Sequence, residues 1–316
     1  MSLQRFVLKR GLLTVPLLFG VSVLTFAMIQ FIPGDPVDFI TQFADIDQEV
    51  KNDIRDQYGL NDPVYVQYIN WVSDVLVFDF GDSITNNRTV AAEITDRLPY
   101  TLLMGAMAFV VSIVTAIPLG IYAAYYRNTA IDQTSRVGAL LGISIPNFFL
   151  GLLLILLFAS NLQWFSIIPP TENGALSVGM IKFMILPAIA IGTGSTALLM
   201  RLMRSSMVEE LDKDYVRTAR AKGLSERTVV VKHVVRNSLI SVVTVAAIQV
   251  AFIISGSVVI ETVFSVPGIG RLLVNSVQVR DFPVIQALVL IIGVFVIVAN
   301  LFADILYAYL DPRIRY

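Results

Sequence analysis

The 316-residue chain contains no cysteine, one histidine (His233) and only 15% charged residues. Without cysteine it can form no disulfide, iron–sulfur cluster or thiolate zinc site. His233 has no carboxylate or second histidine at a metal-ligand spacing, so we expect neither a metal site nor a catalytic site. The pattern G-x-x-x-x-G-K-[ST] is absent as well, so the chain cannot hold ATP phosphates in a P-loop. We predict that it is not an enzyme.

The few charged residues are unevenly distributed, and several windows of about twenty residues contain no charged side chain. A helix of about twenty residues is long enough to cross the hydrocarbon core of a bilayer. Hydrophobic residues make up 56% of the chain and the mean hydropathy is +0.74, whereas a soluble domain has about 25% charged residues. The unbroken apolar runs favour helices over barrel strands. The sequence therefore predicts an all-α membrane protein with six transmembrane helices, at residues 12–31, 101–122, 137–160, 178–199, 239–260 and 284–307.

The Lys and Arg residues predict the orientation of these spans. One side of the predicted topology holds 16 of the 23 basic residues, nine of them in the loop 201–237. Basic residues accumulate on the cytoplasmic side of membrane proteins. We therefore expect both termini to be cytoplasmic, the first span to be a retained anchor, and the protein to lie in the cell membrane.

The spans divide the chain into three predicted parts. Residues 1–31 form the N-terminal end and first helix, residues 32–99 an external subdomain, and residues 100–316 a five-helix core that includes the loop 201–237. Residues 33–99 carry 13 acidic and four basic side chains. The stretches "DIDQEVKNDIRDQYGL" and "VQYINWVSDVLV" have helical spacing. The acidic surface either docks a basic rim of a partner or reflects general surface acidity.

The most polar stretch outside this subdomain is "DYVRTARAKGLSERTVVVKHVVRNS", residues 214–238. Val208, Leu211, Tyr215 and Thr218 predict one helix with a narrow apolar stripe. Gly223 ends it in a left-handed conformation, and Ser225 caps a second helix that begins at Glu226. The stretch is either a corner that docks a partner or a basic loop that sets orientation and binds anionic lipid. It lacks the interleaved aromatics of a nucleic-acid site.

Four polar residues lie inside predicted spans: Gln30, Gln249, Asn300 and Asp304. Such residues face protein or water and not lipid. The three amides either hydrogen-bond between helices or line a translocation path, for which Gln249 and Asn300 are our candidates. We expect Asp304 to pair with an arginine. The segment "SVPGIG" (265–270), with Glu261 before it, predicts a tight re-entrant turn or gate, or else a compact connection.

The stretch "VRTARAKGLSERTVVVKHVVRNSL" resembles the cytoplasmic loop of ABC importer permeases, above all the B-type subunit of the dipeptide/oligopeptide branch. The similarity extends to "FIPGDP" (31–36), "RLPYTL" (97–102), "SIPNFFLGLLLI" (144–155), "ETVFSVPGIGRLL" (261–273), "RDFPVIQALV" (280–289) and the terminal "LDPRIRY". The chain departs from the wider superfamily at Arg217, where Glu is commonest, at Thr218, and at Val235–Arg236, and the peptide branch shares such departures.

This resemblance implies a type I importer permease fold and half of a translocation pathway for peptides or similar solutes. The partners it implies are a second homologous permease, two ATPase subunits that bind ATP and Mg²⁺, and an external substrate-binding protein; this chain itself binds no cofactor. The corner would then be a coupling helix that contacts the ATPase through Arg217, Thr218, Ala219, Lys222, Gly223, Leu224 and Ser225.

The resemblance also makes an external gating or docking role plausible for Glu261, Pro267, Gly268 and Gly270. Two alternatives to peptide import stay open. One is the same machinery with oligosaccharides, glutathione or nickel chelates as its substrate. The other is a gradient-driven carrier.

Overall fold

A computed structural model of the chain describes residues 3–31, 47–57, 61–86, 88–170 and 174–310. Most of "FIPGDP" and of the terminal "LDPRIRY" lies outside these residues. The described helices are α1 Leu3–Gln30, α2 Gln48–Gln57, α3 Val64–Leu76, α4 Val90–Tyr125, α5 Ala130–Ser144, α6 Asn147–Asn161, α7 Val178–Leu211, α8 Asp214–Ala221, α9 Glu226–Val263, α10 Ile269–Val279 and α11 Phe282–Leu310. Across the described ranges the only β-pairing is an isolated bridge between Asp82 and Thr89.

Helices α1, α4, α7, α9 and α11 are each long and apolar enough to cross a membrane, and α5 with α6 would make a sixth span. The all-helical membrane architecture predicted from the sequence is confirmed. The second span begins earlier than predicted, since α4 starts at Val90. Thr89 caps this end of α4, where its side chain accepts a hydrogen bond from the backbone N–H of Ala92 at 3.3 Å.

The predicted span 137–160 is not one straight helix. Helices α5 and α6 meet at an angle of 102°. Ile145 has an extended backbone (φ −80°, ψ 121°) and Pro146 immediately precedes α6. The ring of a proline disfavours a helical conformation for the residue before it, which explains why the helix ends here.

The centre of the fold is the contact between α4 and α7. Gly120 on α4 lies against Met203, and Gly192 on α7 lies against the carbonyl of Ala108 so closely that a Cβ atom at either glycine would collide. Ser112 donates a hydrogen bond to the carbonyl of Gly192 at 3.0 Å. Small residues and interhelical hydrogen bonds of this kind drive helix association in membranes. Helix α7 is the most enclosed span.

Helix α1 lies at the edge of the fold, where it packs on α11. Gly293 of α11 faces Val21 of α1. Arg10 of α1 and Asp304 of α11 form an ion pair at 2.8 Å, which confirms the prediction that Asp304 pairs with an arginine.

The acidic segment contains the two helices that its sequence predicts, α2 and α3. Helix α3 contacts α1 and has no buried residue. The division into an external subdomain 32–99 and a core 100–316 stays a prediction.

Candidate functional site

The chain makes a sharp corner between α7 and α9, which we define as residues 214–228. It differs from the single predicted helix over 208–222, because α7 runs on to Leu211 and a break at Asp212 and Lys213 separates it from α8. Two exposed ion pairs lie on either side of this break, Lys213 with Glu209 at 4.0 Å and Arg217 with Asp214 at 3.4 Å.

The end of α8 has the predicted geometry. Gly223 has a φ of +78°, in the left-handed region where glycine is the default residue. Its N–H donates to the carbonyl of Arg220 at 2.9 Å. Ser225 caps α9 by accepting a hydrogen bond from the N–H of Thr228 at 3.4 Å. Both sequence predictions, the glycine stop and the serine cap, are confirmed.

Six of the seven residues proposed to contact a partner share one property, exposure at the corner. They are Arg217, Thr218, Lys222, Gly223, Leu224 and Ser225. Ala219 differs, because it is only 8% exposed and packs into the internal apolar cluster with Val216 and Val229. Ala219 therefore supports the corner from inside, whereas its six neighbours form the surface that a partner can reach.

The corner is fixed to the long helices on both sides. Below it, Val216 and Val229 pack with Met203 and Met207 of α7 in the same apolar cluster. Above that cluster, Arg220 forms a bidentate ion pair with Glu226 at 3.1 and 2.7 Å, which joins α8 to α9. The Glu226 hydrogen bond raises the pKa of Arg220. Movement of this corner must therefore carry the ends of α7 and α9 with it.

Tyr215 of α8 makes a second connection, to Glu210 of α7 and to Asn237 of α9. Its hydroxyl donates to Glu210 at 2.5 Å and accepts from Asn237 at 3.1 Å. Burial, followed by the hydrogen bond to Glu210, raises the pKa of Tyr215. A phenol is already protonated at neutral pH, so the raised pKa of Tyr215 extends the pH range in which it can donate to Glu210 toward alkaline pH.

A buried ion pair near the same end of the molecule escaped the sequence analysis. Asp132 at the start of α5 is fully buried and accepts bonds from Arg204 of α7 at 2.5 and 2.8 Å. Arg136 and the N–H of Asn128 complete its shell, at 3.3 and 3.0 Å. The i,i+4 spacing of Asp132 and Arg136 was a visible signal, but the essential partner Arg204 is 72 residues away.

At the other end of α9 the residues proposed as an external gate come together around a buried carboxylate. Glu261 has no exposed surface and accepts hydrogen bonds from the Thr101 hydroxyl at 2.7 Å and from the N–H of Arg271 at 3.0 Å. Thr101 in turn accepts from the N–H of Ile269 at 3.0 Å. We call these residues, with Pro267, Gly268 and Gly270, the Glu261 cluster.

The two glycines of this cluster are required because neighbouring atoms come too close to leave room for a side chain. A Cβ at Gly268 would collide with the Glu261 carboxylate and Thr101, and one at Gly270 would meet the backbone of Val258. Pro267 is half-buried and precedes Gly268, the N-cap residue of α10. The cluster thus ties α4, α9 and α10 into one compact joint, and a gating role for it stays a prediction.

A second carboxylate at this end holds the segment before α4. Asp281, in the turn between α10 and α11, is 2% exposed. It accepts bonds from the hydroxyls of Ser83 and Thr85 at 2.5 and 2.9 Å and from the N–H of Ile84 at 3.3 Å. No sequence signal pointed to this contact, because Asp281 lies almost 200 residues after the three residues that donate to it.

The two candidate translocation residues have different surroundings. Gln249 donates to the hydroxyl of Ser195 on α7 at 3.3 Å and faces a cavity of about 190 Å³. The lining of this cavity comprises Asn147, Ile191, Gly194, Ser195, Gln249, Phe252, Ile253 and Gly256. Asn300 is exposed and donates to the carbonyl of Val296 in its own helix at 2.9 Å, so the structure does not bring it to the cavity.

The long apolar helices define the class of the protein, a multi-pass helical membrane protein with an exposed polar corner between two of its spans. Family comparison makes this specific. Residues 116–316 match the family "Binding-protein-dependent transport system inner membrane component", and residues 3–105 match its N-terminal companion family. The chain belongs to this family, the ABC importer permeases of the peptide type, and has their type I fold.

Two curated relatives align over almost the full length of the chain. The chain is 40% identical over 318 residues to the oligopeptide transport system permease protein AppB of Bacillus subtilis, covering 98% of this chain and 99% of the relative. It is 42% identical over 311 residues to the glutathione transport system permease protein GsiC of Escherichia coli, with the same coverage. Membership implies two kinds of partner, an ATPase and a substrate-binding protein.

Proposed function

We propose that this chain pairs with a second, homologous permease subunit and imports peptides or similar small solutes by using ATP hydrolysed on separate ATPase subunits. The corner 214–228 is the surface on which an ATPase subunit acts, and ATP with Mg²⁺ binds only to that partner. Both termini lie in the cytoplasm, because the Lys and Arg residues concentrate on the side of the corner. The external binding protein delivers the substrate at the Glu261 end.

The single observation that carries this proposal is that the corner is exposed on one side and packed against α7 and α9 on the other. Its exposed residues surround Gly223, where a Cβ added to the backbone would meet no other atom within 4 Å, so a partner's surface can come close to the chain. Underneath, buried contacts to Met203 and the Arg220–Glu226 pair attach the corner to α7 and α9. A force applied at the corner is therefore passed to two spans.

Capture of the ATPase subunit tests this proposal. A Gly223→Arg variant places a bulky side chain in the contact surface, so we expect it to lose the ATPase in a pull-down. Gly174→Arg is the matched control, since Gly174 also has a left-handed φ (+74°) and open space around it. Equal recovery of the ATPase by the wild type and by Gly223→Arg would show that the corner is not the coupling surface.

Leu224 offers a test that leaves the backbone unchanged. It is a 42% exposed apolar side chain at the corner, and Leu224→Asp should weaken ATPase binding and lower substrate-stimulated ATP hydrolysis. Leu176→Asp is the control, because Leu176 is 79% exposed and lies in the connection before α7, at the end of that helix remote from the corner. An equal effect of both variants would contradict a specific role for Leu224.

Peptides are the proposed substrate for two reasons. The relatives AppB and GsiC are named for oligopeptide and glutathione transport. In addition, the polar groups of the Gln249 cavity, from Asn147, Ser195 and Gln249, are neutral donors and acceptors of the kind that bind amide groups.

Uptake into proteoliposomes that contain the whole importer and its binding protein tests the substrate. We expect ATP-dependent uptake of labelled short peptides, with oligosaccharides and nickel chelates left outside. Uptake of a sugar in preference to peptides would overturn the substrate assignment while leaving the coupling proposal intact. Uptake that continues without ATP would favour the gradient-driven carrier.

A further inference from the structure

Helix α3 carries an exposed apolar surface in a segment that the topology places outside the membrane. Residues 64–78 contain one charged side chain, Asp74. Six large apolar residues here are more than half exposed: Val64, Tyr65, Ile69, Leu76, Val77 and Phe78. A patch of this kind on a soluble surface marks a site of interaction with a protein or a membrane.

One side of α3 rests on a membrane span. The hydroxyl of Tyr68 hydrogen-bonds Ser22 of α1 at 2.8 Å, and its ring lies edge-on to Phe26 with centroids 5.4 Å apart. Trp71 contacts the same Phe26 at 5.8 Å. Close to the end of α1, Gln30 donates to Gln67 at 3.2 Å.

These contacts set the depth of α3 along the span. The apolar part of α1 ends at Met28, six residues beyond Ser22. With a rise of 1.5 Å per residue, the Tyr68 hydroxyl is bonded about 9 Å inside that end. Interfacial helices bury their apolar faces about 5–10 Å into the boundary between headgroups and acyl chains. The depth of α3 therefore fits such a helix.

The residues of α3 are sorted by face as that location requires. Tyr65, Ile69 and Leu76 share one exposed apolar stripe at helical spacing, next to the side that contacts α1. Gln67, Asn70 and Asp74, at spacings of three and four, form a polar stripe on the other side. Tyr65, Tyr68 and Trp71 are of the aromatic types enriched where a membrane meets water.

We propose that α3 is an interfacial helix whose stripe of Tyr65, Ile69 and Leu76 inserts into the lipid leaflet at the Glu261 end of the spans. Lipid is the occupant because α3 packs on the exposed apolar surface of a span: Phe19 of α1, whose ring contacts Tyr68 with centroids 6.4 Å apart, is 62% exposed. The polar stripe then faces water. Anchored this way, α3 holds the chain that follows it, up to the Asp281 contact, against the membrane.

A pair of neighbouring labels tests this insertion in the whole importer, reconstituted in phosphatidylcholine vesicles. This chain has no cysteine, so Ile69→Cys and Asn70→Cys each introduce its only thiol, and labelling of the unaltered importer measures the background from partner subunits. Both positions are exposed and adjacent in sequence but lie on different stripes. A nitroxide on each is probed by collision with oxygen, which concentrates in lipid, and with a water-soluble nickel chelate.

We expect the ratio of oxygen to chelate collisions to be several-fold higher at residue 69 than at residue 70. Similar, chelate-dominated collisions at both positions would place α3 in water and overturn the proposal. Protection of residue 69 from both probes would also overturn it, because a second protein subunit and not lipid would then cover the stripe. Leu76→Cys and Asp74→Cys form a second pair with the same expected inversion, should either first variant fail to assemble.

Discussion

Glycine is placed at both ends of α9, but for opposite reasons. At the corner, Gly223 is required by its backbone angle of +78° and is surrounded by open space. In the Glu261 cluster, Gly268 has an ordinary extended backbone (φ −96°), and it is required because its surroundings leave no room for a Cβ. The corner therefore leaves space in which a partner can contact the backbone, whereas the Glu261 cluster is filled by the protein's own side chains.

The charged groups of the two regions differ in the same way. Arg220 and Glu226 at the corner are each 43% exposed, so water screens their attraction. Glu261 is fully buried and depends on hydrogen bonds from Thr101 and Arg271. We therefore expect substitutions in the cluster to act on stability and substitutions at the corner to act on partner binding.

The largest effect on stability should come from Glu261→Ala. It leaves the buried Thr101 hydroxyl and the N–H of Arg271 without their acceptor, and each unsatisfied group costs about 1–3 kcal/mol. Thermal unfolding of the purified importer in detergent measures the loss. Glu226→Ala removes an exposed carboxylate from the other end of the same helix and is the control. Equal shifts in Tm for the two variants would break the contrast between the regions.

Gly270→Ala should be the next most damaging change. The new methyl group would meet the Cα of Val258, and overpacking of this kind costs about 1–3 kcal/mol. Gly138→Ala is the matched control, because a Cβ there meets no atom within 4 Å and α5 should tolerate or gain from it. The same thermal assay applies, and an unchanged Tm in Gly270→Ala would show that the cluster can relax.

Asp281→Ala should have a smaller and more local effect. The part-buried donors Ile84 and Thr85 can bond to water instead, so the net loss is about 1.5 kcal/mol, the value of one hydrogen bond to a charged group. Such a loss raises the opened population of the segment 82–89 about tenfold. Tryptic cleavage after Arg88 in the native importer reports this opening. Asp74→Ala, at an exposed carboxylate on α3, is expected to leave the cleavage rate unchanged. A cleavage rate in Asp281→Ala that matches the wild type would mean that other contacts hold the segment.

The smallest effect on stability should come from Arg220→Gln. Its exposed pair with Glu226 contributes less than about 1 kcal/mol, so Tm should hardly move. ATP hydrolysis coupled to substrate should nevertheless fall, because the link from α8 to α9 is weakened. A loss of Tm as large as that of Glu261→Ala, or full coupling in this variant, would contradict the proposed division of roles.

Features that depend on neighbouring residues were predictable from the sequence. The apolar runs indicated the spans, because a span needs only an adequate length of uncharged chain. Gly223 and Ser225 indicated the end of one helix and the start of the next, since both act on backbone groups within a few residues. The exposure of the corner followed from its polarity, but the burial of Ala219, one of the residues predicted to contact the ATPase, did not.

Features that depend on distant residues were not predictable. Pro146 was visible, but the 102° angle between α5 and α6 was not. The main partners of Asp132 and Asp281 come from distant parts of the chain, Arg204 of α7 for Asp132 and the segment before α4 for Asp281. Nothing in the sequence near either carboxylate indicates them. The difference between Gln249, which faces a cavity, and Asn300, which does not, depends on how the spans are rotated against one another.

The amino-acid sequence by itself determined that this protein crosses a membrane in several helices and that a polar, glycine-containing corner interrupts them. Hydropathy, helix capping and backbone freedom act over short stretches of chain, so they can be read without a structure. Only the tertiary structure decided that Glu261 and Asp281 are buried joints, that Ala219 faces inward, and that α3 rests on α1. Each of these depends on which surfaces meet when the helices pack.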